Sequence, residues 1–441
     1  MFEHNQKYQG GDKAILVAME MPDTDPADSA EFLELVTSAT VIPLQVITGK
    51  RQYVDKRYFV GTGKAEEIRL AAVAHDADVV IFNHALRPSQ TRNLERLLEK
   101  RVIDRTGLIL DIFAQRAQSF EGKLQVELAQ LKHISTRLVR MWTHLERQKG
   151  GIGMRGPGET QLESDKRMII TRIGQIQKKL DKVEETRRQS RLARQKSATP
   201  TIAFVGYTNA GKSSLFNQLT HSDIYVADKL FATLDPTHRA LELTQTGKAI
   251  LIDTVGFISK LPHELIAAFK STLQESVEAD LLLEVIDSAD PEREHKMHEV
   301  AKILNEIGAS GVPKIQIFNK IDLLDEIQPH FIKNEINEIN TVYLSAQDST
   351  GIDLLLQAIS ERFQETHVRT QLTLPPYATK LRAQLFELDA ITCEQISDTG
   401  EFILDIYTAK RHLLKLATQD AQSKTLLSST LNDLHTKEIW E

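Results

Sequence analysis

Cysteine is nearly absent: Cys393 is the one in 441 residues. A single thiol forms no internal disulfide and no thiolate metal site, so the composition fits a reducing compartment. Long apolar runs are missing as well. No stretch approaches the roughly 20 residues a membrane span needs. The opening Met-Phe-Glu-His-Asn-Gln-Lys-Tyr-Gln-Gly has no apolar signal region. The cytoplasm is the expected compartment and a monomer the expected state. Aromatics are few, 6% of the chain, which argues against extensive stacking on bases. What remains is ordinary globular material, 41% hydrophobic and 26% charged, in a chain too long for one core.

Positive charge is scarce overall but not evenly so. The chain carries −7, yet residues 116–196 hold 19 Lys and Arg against nine Asp and Glu, an excess of ten positive charges. The rest therefore holds −17. A basic middle on an acidic molecule points to one surface that faces a polyanion. In that segment Leu124, Leu128, Leu131, Ile134, Leu138, Met141 and Leu145 recur at helical spacing. Gly150-Gly-Ile-Gly-Met-Arg-Gly-Pro-Gly158 ends the helix. A second stripe follows at Leu162, Ile169, Ile173, Ile176, Leu180 and Val183. Two helices with a basic glycine loop between them read as an antiparallel hairpin. Its loop is either a plain connector or a finger that orders on RNA. In the second reading Lys149, Gly151, Arg155 and Gly156 approach the backbone, and Arg167 and Arg172 track phosphates beside it. Trp142 is the one aromatic near the loop, so phosphate and shape contacts are expected over base readout.

Before the hairpin, alternating short strands and helices argue a small α/β domain over 10–115. Strands are expected at 14–20, 41–47 and 78–82, helices at 29–39, 66–74 and 89–100, and further short strands at 102–103 and 108–110. Gly61-Thr-Gly-Lys64 imitates the end of a phosphate loop, but Tyr58 and Ala65 stand where the motif needs Gly and Ser or Thr. It reads as a strand-to-helix turn.

The chemistry lies after the hairpin. Thr201-Ile-Ala-Phe-Val205 is a strand, Gly206 to Ser213 is spaced G-x-x-x-x-G-K-S, and Ser214 to Thr220 starts a helix. Such a loop gathers backbone N–H groups and a helix N-terminus around one anion. Lys212 would then reach the β- and γ-phosphates, and Ser213 would hold Mg²⁺. Lys248 to Asp253 is a strand that ends in Asp253-Thr-Val-Gly256, where Asp253 serves the Mg²⁺ shell through water and Gly256 gives an N–H to the γ-phosphate. Between them lies Phe231-Ala-Thr-Leu-Asp235, followed by Pro236-Thr-His-Arg239. Either Thr233 or Thr237 could close over Mg²⁺. Asn319-Lys-Ile-Asp322 follows another strand. The Asp322 carboxylate can accept from guanine N1–H and N2, and adenine offers a donor at neither place. Ser345-Ala346 ends a last strand near guanine O6, and 351–363 closes the domain as a helix.

These motifs, in this order, look like a translation-factor-class GTPase. With the N-terminal α/β domain and Gly-Gly-Ile-Gly-Met-Arg-Gly-Pro-Gly-Glu-Thr-Gln-Leu-Glu163, the chain resembles the HflX GTPases of the Obg–HflX superfamily. The resemblance covers about 10–365. It implies a GTPase that binds the large ribosomal subunit and its rRNA and dissociates stalled ribosomes, with the glycine loop directed at the peptidyl-transferase region. It also implies Mg²⁺ on Ser213 and Thr233, and potassium near Asn209. The expected nucleotide contacts are Gly206, Tyr207, Thr208, Asn209, Ala210, Gly211, Lys212, Ser213 and Ser214, then Phe231, Ala232, Thr233, Leu234 and Asp235. Asp253, Thr254, Val255 and Gly256 follow, with Asn319, Lys320, Ile321 and Asp322, and finally Ser345, Ala346 and Gln347. Lys212, Thr233 and Gly256 are the expected catalytic groups. Phe257 stands where Ras-like enzymes carry a water-orienting glutamine, so slow hydrolysis and stimulation by the ribosome are expected. An assembly or RNA-chaperone GTPase and a nucleotide-gated adaptor are the alternatives. The expected division is 10–115, 116–197, 198–367 and, after a linker at 370–376, a small α/β appendage over 374–441. In the appendage 384–389 and 402–407 read as strands and 411–417 as a helix.

Overall fold

The computed structural model describes residues 11–22, 28–141, 157–196, 199–220, 230–243, 247–259, 270–324, 327–335, 337–363, 367–388, 390–397 and 400–409, and a few positions between 413 and 427. The chain divides into two compact units, one of 1–243 with 248–358, the other of 244–247 with 359–441.

The first unit begins with strands β1 (Lys13–Glu20), β2 (Ile42–Lys50), β3 (Val79–Phe82) and β4 (Arg101–Asp104), in the order β2-β1-β3-β4. All the pairings are parallel, and helices α1 (Asp28–Ser38), α2 (Thr62–Ala74) and α3 (Pro88–Leu98) form the crossovers. Residues 108–110, expected as a strand, lie instead in helix α4 (Arg105–Arg116). The reason is local. The Asp104 carboxylate accepts from Gly107 N–H at 2.9 Å and caps the helix. Leu108, Ile109, Ile112 and Phe113 then fall at helical spacing on one buried face. Gly61 is the N-cap of α2, and Lys64 pairs with Glu67 one turn on at 2.8 Å.

Helices α5 (Phe120–Met141) and α6 (Pro157–Lys196) pack through Leu124, Leu128 and Ile176, with Leu131, Ile173 and Leu180 alongside. The two apolar stripes thus meet as one seam. Three of the hairpin's basic side chains are tied to carboxylates, Arg137 and Arg187 half-buried and Arg172 still exposed. Arg137 reaches the buried Asp104 at 2.5 Å, Arg172 forks onto Glu127 at 2.7 and 3.0 Å, and Arg187 pairs with Glu121 at 2.9 Å.

The remaining sheet has seven strands in the order β10-β11-β9-β8-β5-β7-β6. These are β5 (Thr201–Gly206), β6 (Thr237–Leu243), β7 (Gly247–Asp253), β8 (Leu281–Asp287), β9 (Lys314–Asn319), β10 (His330–Lys333) and β11 (Ile339–Tyr343). The central strands β7, β5, β8, β9 and β11 pair in parallel, while β10 is an antiparallel edge. Helices α7 (Lys212–Thr220), α8 (Lys270–Val277), α9 (Arg293–Ile307) and α10 (Ile352–Phe363) accompany them. One hydrophobic core runs from the first sheet into the second, joining Leu16, Phe32, Leu110 and Phe113 to Val205, Phe231, Phe257 and Leu282.

The second unit is an antiparallel sheet in the order β12-β14-β13, from β12 (His367–Leu374), β13 (Ile391–Ile396) and β14 (Phe402–Ala409), with helix α11 (Thr379–Glu387). Residues 370–373, expected in a linker, belong to β12, because Leu372 and Leu374 alternate into a core with Leu404 and Ile406. Residues 384–387, expected as a strand, end α11, where Leu381 and Leu385 repeat at helical spacing.

Candidate functional site

Strand β5 delivers the chain into the glycine loop. Gly206 has φ +141°, and a Cβ there would lie 2.3 Å from the Val285 carbonyl oxygen. Gly211 has φ +94°, with Asn319 packed where its side chain would stand. The loop closes around Lys212, whose ammonium donates to the carbonyls of Gly206 at 3.1 Å and Tyr207 at 2.5 Å. Burial pushes this lysine down to about 8, against the opposing pull of Asp253. Gly256 completes the enclosure, since a Cβ there would sit 2.9 Å from the Lys212 nitrogen. Backbone bonds from Thr208 N–H to Phe257 O (2.8 Å) and from Phe257 N–H to Gly206 O (3.1 Å) zip the two loops together.

Three side chains converge beside the lysine. Ser213 Oγ and Thr233 Oγ1 are 2.9 Å apart, and both donate to Asp253 Oδ2, at 2.8 and 2.7 Å. Asp253 is fully buried and its other oxygen, Oδ1, has no hydrogen-bond partner among the described residues. Burial raises its pKa, although Thr233, Ser213 and Lys212 pull the other way. Two hydroxyls and an under-coordinated buried carboxylate form an all-oxygen donor set, which suits a hard divalent cation such as Mg²⁺. Thr237, the other threonine considered, opens β6.

Not every side chain of the expected contact set faces this point. Phe231 and Leu234 are buried in the shared core, and Asp235 turns its carboxylate to residues 118 and 119. Ala232 and Ser214 are half-buried. Val255 is buried, and Thr254 donates to Phe204 O at 2.5 Å beneath the loop. The Tyr207 ring leaves the loop altogether. Its hydroxyl donates to Glu31 of α1, which also pairs with Arg105 and accepts from Ser259 Oγ at 2.9 Å. Burial and the Glu31 charge raise the phenol's pKa. No feature of the sequence marked Glu31, Arg105 or Ser259, because each gains its meaning only when two sheets meet. Asn209, at φ 62°, is exposed on the loop crest.

The residues expected to select the base form the opposite wall. Asn319 Nδ2 donates to Ala210 O at 2.9 Å, and its Oδ1 accepts from Ala346 N–H at 2.9 Å. One side chain thereby joins the phosphate loop to the strand end at 345. Lys320, at φ 65°, pairs with Asp287 at 2.7 Å. Ile321 is buried, whereas Asp322 is exposed and accepts from Ser345 Oγ at 2.5 Å. Gln347 is exposed, and Gln218 donates to Ala346 O at 3.4 Å.

On the hairpin, Arg167 is exposed, as are Lys166, Lys178, Lys179 and Lys182 of α6. Lys149, Gly151, Arg155 and Gly156 lie outside the described residues.

A parallel sheet, a glycine loop and a strand-end carboxylate of this order define a guanine-nucleotide-binding protein of the P-loop class. Family models described as a GTP-binding GTPase N-terminal region, a GTP-binding GTPase middle region and a 50S ribosome-binding GTPase match residues 27–114, 116–194 and 201–320. The GTPase HflX of Escherichia coli (strain K12) is 53% identical over 401 residues, which cover 91% of this chain and 94% of that one. The GTPase HflX of Caldanaerobacter subterraneus subsp. tengcongensis is 49% identical over 358 residues, covering 81% and 82%. A solved GTP-binding protein from the archaeon Sulfolobus solfataricus, in complex with GDP, is 26% identical, covers 80% of this chain and 99% of its own, and has a TM-score of 0.44. The chain belongs to the HflX family of GTPases.

Proposed function

We propose that this GTPase associates with the large ribosomal subunit through its basic hairpin and uses GTP to dissociate stalled or idle ribosomes. The observation that carries the reading is the run of exposed cations on α6, Lys166, Arg167, Lys178, Lys179 and Lys182, which have no ion-pair partner among the described residues and lie on the same compact unit as the nucleotide site. The description of the matched family, a 50S ribosome-binding GTPase, supports the same partner. Lys149, Gly151, Arg155 and Gly156 would extend this surface into the rRNA. Arg172 would have to leave Glu127 to join them.

In the nucleotide site, Lys212 and the Gly256 N–H hold the β- and γ-phosphates, while Asp322 selects guanine. Ser213, Thr233 and, through water, Asp253 hold Mg²⁺, which neutralises charge on the phosphates when bound. Phe257 is buried in the core, so it orients no water and unaided hydrolysis is slow. Asn209 holds a potassium ion that supplies further positive charge, so turnover in potassium should exceed turnover in sodium. Equal rates would remove that assignment.

The test is cosedimentation with large subunits in the presence of a non-hydrolysable GTP analogue, across a salt series. The intact chain should pellet in a salt-sensitive way. A chain with residues 150–158 replaced by a short neutral turn should pellet weakly. Light scattering of intact ribosomes with GTP should fall as subunits separate. Binding without that fall would favour an assembly role instead.

A further inference from the structure

We propose that Asp235 is a positioning residue that ties the Mg²⁺-side loop of the nucleotide site to the first helix of the basic hairpin. Loop 230–235 and the start of α5 would then order and loosen together. The Asp235 carboxylate accepts from Gln118 N–H at 2.9 Å, from Ser119 N–H at 2.7 Å and from Ser119 Oγ at 2.6 Å. Ser119 Oγ in turn accepts from Gly122 N–H at 2.8 Å, and Ser119 O takes the first helical bond from Lys123 at 3.1 Å. Ser119 is thus the N-cap of α5, and an anion from a segment 116 residues away sits on the positive end of its dipole. The approach is close enough that a Cβ on Gly122 would lie 2.0 Å from Asp235 Oδ1.

The same loop is held at its other landmarks. Two residues before Asp235, Thr233 donates to Asp253 beside Ser213. Phe231 packs edge-on against Phe113, with centroids 4.6 Å apart, and Leu230 N–H donates to Ser38 Oγ at 2.9 Å. With Leu234 buried between Thr233 and Asp235, the loop has little slack. Whatever fixes Thr233 also presents Asp235 to α5, and whatever displaces α5 pulls on Thr233. By linkage, the effect of nucleotide on the hairpin equals that of the hairpin's ligand on the nucleotide. Which ligand sits on the hairpin rests on the reading above. The coupling itself is internal to the chain.

The test uses the full chain with Mg²⁺ and either GDP or a non-hydrolysable GTP analogue, following amide exchange in residues 115–123. Loss of a cap changes local stability by roughly fivefold. Exchange in the intact protein should therefore slow by about that factor when the analogue replaces GDP. Asp235→Ala should erase the difference between nucleotides, and Asp235→Asn should restore part of it. Ser119→Ala, which removes the hydroxyl that binds both Asp235 and Gly122 N–H but leaves the backbone bonds to Asp235, should diminish it. Circular dichroism melts identify any variant that has failed to fold, leaving the other two to decide. A cap with a purely structural role would slow exchange equally in both nucleotides. Nucleotide-independent exchange in the intact chain, or an undiminished difference in Asp235→Ala, would overturn the proposal. In cosedimentation, Asp235→Ala should bring the ratio of subunit affinities with analogue and with GDP towards one. An intact chain that pellets with no subunits would defeat the ribosome reading and leave the exchange result standing.

Discussion

In the proposed nucleotide site a single carboxylate, Asp322, decides which base binds. Its oxygen accepts from Ser345, and what remains can accept two hydrogen bonds from guanine. Asp322→Asn keeps the shape but turns an amide donor on guanine N1–H or N2. With the base seated over it, a donor that faces a donor is discriminated against by orders of magnitude, so GTP affinity should fall at least about 100-fold by calorimetry. Lys212 makes a second prediction at this scale. Burial holds its pKa near 8, below the ordinary lysine value, and a bound triphosphate would draw it up again. Binding should therefore take up a proton above about pH 8 and weaken as pH rises beyond it, while at pH 6.5 the lysine is charged in both states. Calorimetry in two buffers of different ionisation heat, at pH 6.5 and 8.5, measures that uptake directly. Both residues were legible in the sequence, since motif spacing alone places them. Glu31 was not, because an acidic residue on an amphipathic helix looks solvated until a partner sheet covers it.

Elements behave likewise. The hairpin seam was legible because Leu124, Leu128 and Leu131 on one helix, and Ile173, Ile176 and Leu180 on the other, repeat at helical spacing, and that period survives in the packed helices. Helix α4 was not, since Leu108-Ile-Leu110 is too short to distinguish strand from helix by period. Its cap, Asp104, decides the matter. Asp104 also accepts from Leu86 N–H at 3.2 Å and from Arg137 of α5, so one buried carboxylate caps α4 and anchors the hairpin. Asp104→Ala would leave α4 uncapped and Arg137 half-buried without its anion. The loss should be about 3 kcal/mol, read as a lower urea midpoint. Strand β10 was missed for a related reason. His330-Phe-Ile-Lys333 is a four-residue edge, and an edge that short has no period to read.

At the scale of the molecule, the sequence suggests separate N-terminal and GTPase domains, whereas the structure gives them one continuous hydrophobic core. At their junction, the buried Arg105 pairs with Glu31, whose side chain is 10% exposed. Ser259 donates to Glu31 and, through its backbone oxygen at 3.2 Å, accepts from Arg105. The Tyr207 hydroxyl also accepts from Ser259 N–H at 2.6 Å. An ion pair so buried resists loss of one partner, because the survivor has no water to return to; such losses run to about 3–5 kcal/mol. Glu31→Gln keeps the volume and removes the charge, leaving the Arg105 guanidinium buried without its carboxylate. Were the two sheets independent, the damage would stay with the sheet that carries the mutation. With one core and a junction that touches the phosphate loop itself, it should spread to both. Amide exchange in Glu31→Gln should therefore accelerate by a similar factor in β1 and in β5, and the urea transition should remain single. Acceleration confined to β1 would show that the shared core does not fold as one.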